Sequence, residues 1–202
     1  MNAKRNMPRQ TILAAIRNNQ PALRPLPEQF AFQSHYDDLS AQFAAVLATV
    51  GGQAVLVENY ADIEAHLRTT YAGVTNIAAT PPQLTHLADV DLAAITDPHD
   101  LAGLNLAIIE GQLGVAENAA IWIDERNLPH RALPMITQYL AIVLRRAELV
   151  PNMHDAYRRL DVAATGFGTF LSGPSKTADI EQSLVVGAHG ARGLVVYLLE
   201  SC

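Results

Sequence analysis

Along this chain, apolar positions alternate between two spacings. Leu39, Phe43, Leu47 and Val50 fall on one helical stripe that begins after Asp37 and stops at Gly51-Gly52. Ala54-Val-Leu-Val-Glu58 then has the length and branching of a buried strand. A short helix from Asp62 places Ile63 and Leu67 on one face, and Asn76–Thr80 reads as a strand closed by Pro81-Pro82. Leu104–Ile109, Ala119–Asp124 and Leu140–Leu144 predict further strands, and Asn152–Leu160 predicts a polar helix. Thr169–Leu171 and Gly193–Leu199 are expected to be sheet neighbours, joined by a right-handed crossover through a helix starting near Lys176. Strands alternating with helical stripes predict an α/β fold, a mainly parallel sheet flanked by helices. Before this body, Thr11–Asn19 reads as a short amphipathic helix, and Pro21, Pro25 and Pro27 make an extended linker. The expected division is therefore an arm over residues 1–30 and one α/β domain over residues 31–202.

Composition narrows the functions open to such a fold. The chain has 202 residues, half of them hydrophobic and 17% charged, which is enough for one sizeable core. Its net charge of −6 argues against broad contact with nucleic acid or an anionic membrane, while leaving room for a local basic pocket. Asp124, Arg145 and Arg146 interrupt the longest apolar runs, so no membrane span is expected. The polar N-terminus is not followed by a signal-peptide core, and the expected location is cytoplasmic. Cys202 is the single cysteine, so the chain supplies neither a disulfide framework nor the thiolates of an iron–sulfur cluster. The histidines show no metal-site spacing, and no metal is expected.

Three constellations carry candidate chemistry. In the Ser172–Glu181 segment, Gly173 permits close backbone approach, and Ser175 or Thr177 is placed to cap the expected helix. Free amides at such a terminus favour phosphate or carboxylate, although an ordinary capped helix fits the same residues. Asp179 and Glu181 lie two residues apart, so on a helix they cannot act as a carboxylate pair. In Gly187-Ala-His-Gly-Ala-Arg192, His189 suits acid–base work and Arg192 suits a forked contact to an anion. A tight turn with a solvated histidine is the plainer reading. The third is Glu117-Asn118, which interrupts an apolar stretch. It is either a partly buried functional carboxylate or a turn shaped by Asn118.

The order of these motifs, Ser172-Gly-Pro-Ser175, Ala178-Asp-Ile-Glu181 and Gly187-x-His-Gly-x-Arg192, resembles the LUD-domain family. Arg131 and the stretch 134–150 fit the same pattern, and the likeness covers roughly Leu106–Leu199. The resemblance implies the NagB/RpiA/CoA-transferase type of fold and a non-redox role in L-lactate utilisation, lactate to pyruvate. It also implies iron–sulfur partner proteins, with clusters only in those partners. Gly173, Ser175, Asp179, Glu181, His189 and Arg192 occupy the motif positions. A small carboxylate or phosphate ligand and a homo-oligomer are further expectations. One departure stands out: Asn118-Ala119-Ala120 replaces a Thr-Gly-Thr-like turn. The segment Ala116–Ile121 also looks like the turn around the nucleophilic glutamate of CoA-transferases, which implies an alternative as a CoA- or acyl-transfer enzyme using Glu117. A small-anion binding or sensor module is the other alternative.

Overall fold

The apolar runs of the sequence assemble around one parallel sheet. The computed structural model describes residues 9–25, 34–178 and 184–200, in two units divided after Gln33. In the first unit, α1 (Arg9–Asn18) leaves Ile12 and Ile16 exposed.

The second unit starts with α2 (Leu39–Thr49), whose N-terminus is capped by the Asp38 carboxylate through the Ser40 and Ala41 amides. It closes where Gly51 takes a φ of 84°, which glycine adopts without Cβ strain. Then come β1 (Gln53–Val57), α3 (Tyr60–Thr70), β2 (Ile77–Ala79), β3 (Leu106–Glu110), β4 (Leu113–Val115) and β5 (Ala120–Asp124). After them run α4 (Leu133–Ile136), β6 (Tyr139–Arg145), β7 (Leu149–Val150), α5 (Met153–Arg159), β8 (Gly168–Leu171), β9 (Lys176–Ala178), β10 (Leu184–Val186) and β11 (Gly193–Leu199).

The main sheet has the order β1-β11-β6-β3-β2, and all its pairs are parallel. Alternation in β6 shows why it is buried on both sides. Leu140, Ile142 and Leu144 join Phe43 and Leu47 of α2, while Ala141 and Val143 join Ile63 and Leu67 of α3. A second sheet, β7-β4-β5-β8, contributes Ile121 and Ile123 to the α2 side. Its other face buries Trp122 and Val150 against Ala156 of α5. Among the described residues, no helix is long and apolar enough to cross a membrane.

The α/β class and the mainly parallel sheet agree with the sequence pattern. Three local expectations do not. Thr169–Leu171 pairs antiparallel with β5 in the second sheet, whereas Gly193–Leu199 lies between β1 and β6. The helix expected from Lys176 is replaced by β9, which pairs with β10 as an antiparallel ribbon. β1 is an edge strand with Leu56 exposed, not a fully buried one.

Candidate functional site at the amino edge of the sheet

Parallel strands place all their amino ends on one side, and the loops entering β6 and β11 meet there. Arg192 and Gln138 precede the two strands, and the Arg192 amide donates to the Gln138 carbonyl at 2.9 Å. A cavity of about 500 Å3 opens beside this contact, lined by residues 132, 135–138, 187–190 and 192. His189 and Arg192 are the charged or titratable side chains of that lining, and among the described residues no carboxylate accompanies them.

The Ser172–Ser175 loop ties the motifs together. The Ser175 amide donates to the Ala191 carbonyl at 2.7 Å, and the Gly187 amide donates to the Ser175 carbonyl at 2.9 Å. On its other side, the Ser172 hydroxyl donates to the Asn118 carbonyl at 2.7 Å. Two glycines are required by geometry here. Gly173 has a φ of 79° and lies so near Val50 that a Cβ would come within 2.9 Å of its side chain. Gly187 has a φ of 81°, and a Cβ there would come within 2.6 Å of Arg192 Cβ.

The predicted residues therefore separate into a cavity group and a supporting group. His189 is exposed at the cavity. Arg192 lies with its guanidinium carbon 4.7 Å from the Tyr139 ring centroid, a cation–π contact that holds the fork over the amino end of β6. Thr177 pairs with Val185 in the ribbon and caps no helix. Asp179 and Glu181 lie outside the described residues.

Glu117 and Asn118 sit in the turn between β4 and β5. Glu117 is exposed rather than partly buried, and its carboxylate accepts the Met153 amide at 3.0 Å, at the start of α5. The Asn118 side chain accepts the Ala120 amide at 3.1 Å. Ala119 between them is fully buried and has a φ of 54°, in the left-handed region that favours glycine.

Sequence reasoning passed over the opposite edge of the sheet. There a cavity of about 780 Å3 opens at the ends of β2 and β3, between residues 88–93 and 125–129. It contains none of the motif residues, which is why the smaller cavity is taken as the candidate site. Its wall is ordered by Asp124, which has no exposed surface. Burial pushes the Asp124 carboxyl up, but donation from the Arg126 side chain and amide and the Trp122 indole outweighs it and holds the group below its ordinary value. Glu125 next to it is also held low, by the Gly166 amide and then by Arg131.

With fold and motifs located, the class is defined. A family model of the LUD domain matches residues 83–199, and the chain belongs to that family. It is similar to lactate utilization protein C of Shouchella clausii (strain KSM-K16), with 33% identity over 92 residues, or 43% of this chain and 40% of the relative. It is also similar to lactate utilization protein C of Halalkalibacterium halodurans, at 35% identity over 82 residues, covering 38% of this chain and 36% of the relative. The uncharacterized protein YkgG of Escherichia coli (strain K12) is 26% identical over 103 residues, 48% of this chain and 45% of that protein. The match thus spans less than half the length of each of these curated relatives. A DUF162 family protein from Deinococcus radiodurans shares the fold, with a TM-score of 0.62 and 19% identity over 80% of this chain and 96% of that chain.

Proposed function

We propose that this protein is a non-redox component of an L-lactate utilisation system, and that the cavity at the amino edge holds a small carboxylate. The observation that carries the reading is the composition of that cavity, an exposed histidine and a forked cation with no acid among the described residues of the lining, within the residues matched by the LUD-domain model. Arg192 suits a carboxylate because its planar fork offers parallel donors, and Tyr139 keeps it in place. His189 is positioned to exchange a proton with a bound ligand.

Oxidising lactate to pyruvate removes two electrons and two protons. This chain's one cysteine cannot ligate a cluster, so the electrons pass to iron–sulfur partner proteins under this reading. The names of the similar proteins from Shouchella and Halalkalibacterium support the process. The carboxylate-binding role rests on Arg192 and its setting.

The test is growth on L-lactate of a source strain lacking the gene, complemented with wild type, Arg192→Gln or Glu117→Gln. Loss of growth on deletion, restored by wild type and Glu117→Gln but not by Arg192→Gln, is expected. Unimpaired growth of the deletion strain refutes the lactate role. Failure of Glu117→Gln with the fold intact, as judged by circular dichroism, moves the chemistry to Glu117 and favours acyl transfer.

A further inference from the structure

The cavity at the carboxyl ends of β2 and β3 has the opposite electrostatic character. Its lining carries Asp89, Asp91, Glu110 and Glu125 against a single cation, Arg126. Most of these charges are already engaged by the protein. Asp89 accepts the Asn76 and Ile77 amides at 2.9 and 2.5 Å, and Asp91 accepts the Ala93 amide at 3.0 Å. Glu125 accepts Arg131 and the Gly166 amide, and Arg126 is held by Asp124. Glu110, half-buried at the last position of β3, is the one charged group of the lining that no described residue engages.

A second, independent feature marks the same strand ends. Among the described residues, three buried side-chain polar atoms lack a hydrogen-bond partner: Thr80 Oγ1 and both amide atoms of Gln112. Of these, Thr80 follows β2 and lines the cavity, whereas Gln112, two residues beyond Glu110, is not part of the lining. Buried polar groups are nearly always paired, and exceptions gather at sites with a role beyond packing. The carboxyl edge of a parallel sheet is also where α/β folds commonly bind ligands.

We infer that this cavity binds a small organic cation, a primary ammonium on a short apolar stem, through the Glu110 carboxylate. An anion is disfavoured by the excess of acids in the lining. A divalent metal needs several oxygen ligands, and the neighbouring carboxylates are turned to backbone amides and arginines. The apolar stem has Ala79, Val90, Leu92, Ala93 and Leu128 to pack against. At about 780 Å3 the cavity lies within the range of small-molecule sites.

The inference does not depend on the lactate reading and is tested on the purified full chain. Butylammonium chloride is titrated while amide chemical shifts are followed by NMR, with butan-1-ol as the neutral probe of the same shape. Saturable shifts confined to Thr80, residues 88–93, Glu110 and residues 125–129 are expected for butylammonium and not for butanol. Glu110→Gln weakens the ammonium about tenfold, because a charge-assisted hydrogen bond is lost. Glu117→Gln, a carboxylate removed elsewhere on the surface, leaves binding unchanged. Equal response to both probes, shifts spread over the acidic surface, or full binding by folded Glu110→Gln overturns the inference.

Discussion

The two cavities lie at opposite edges of the same parallel sheet, one at the amino ends of β6 and β11 and the other at the carboxyl ends of β2 and β3, and differ in how they are made. At the amino edge, loops from distant parts of the chain are joined by backbone hydrogen bonds through Ser175, and among the described residues the lining holds no acid. At the carboxyl edge, strand ends and neighbouring turns form the wall, and acids outnumber the single arginine. Under the two proposals, one framework serves two ligand preferences of opposite sign. Family motifs identify the first, because its glycines and its histidine–arginine pair are local in sequence. Only topology identifies the second, because Glu110 is one acid at the end of an apolar run until β2 and the turn after β5 are brought to it.

The sharpest way to break this comparison is to exchange probes between the edges. Arg192→Gln is expected to weaken lactate or acetate at the amino edge roughly thirtyfold, the scale of losing a charge-assisted fork. Butylammonium binding at the carboxyl edge should be unaltered by the same substitution. The titrations are read by NMR on the folded variant. If Arg192→Gln weakens both ligands equally, the edges are coupled and the two-site description fails.

How much of this was legible beforehand varies by element. The helix stripe Leu39, Phe43, Leu47 and the apolar runs of β3, β6 and β11 were readable because burial imposes a local period. The stretch 168–186 was not. Its strands are three or four residues long, too short to show a period, and β8 finds its partner in β5 far along the chain. Of the motif residues, Gly187, His189 and Arg192 lie at the amino ends of β6 and β11, tied to Ser175 by backbone hydrogen bonds, whereas the sequence predicts a helix after the Ser172–Ser175 turn.

The carboxyl-edge wall also makes a prediction about acid. Asp124 titrates below the ordinary aspartate value in the folded state, so it stabilises the fold at pH above its unfolded pKa. That contribution is lost as pH falls through the depressed folded value, below about 4. Asp124→Asn is expected to lower stability by about 2 kcal/mol at neutral pH, on the scale of hydrogen bonds to a buried charge. The variant and wild type should converge as the medium is acidified. Urea midpoints from pH 7 down to pH 3 measure the difference, and a gap that stays constant with pH would assign the role of Asp124 to shape alone. Its effect on the amino-edge ligand should be negligible, which keeps the two regions separable.

The smallest effect concerns the turn Asn118-Ala119-Ala120 between β4 and β5. Ala119 holds a left-handed conformation that costs a Cβ-bearing residue about 1 kcal/mol. Its methyl is fully buried, and burial of such a group contributes about 0.8 kcal/mol. These effects nearly cancel, so Ala119→Gly should change stability by less than about 0.5 kcal/mol, with the urea midpoint moving little and its slope unchanged. The backbone of the turn thus forms without glycine. A large gain on Ala119→Gly would mean instead that the turn is strained, and that Asn118 and Glu117 are held in a conformation the rest of the fold maintains at a cost.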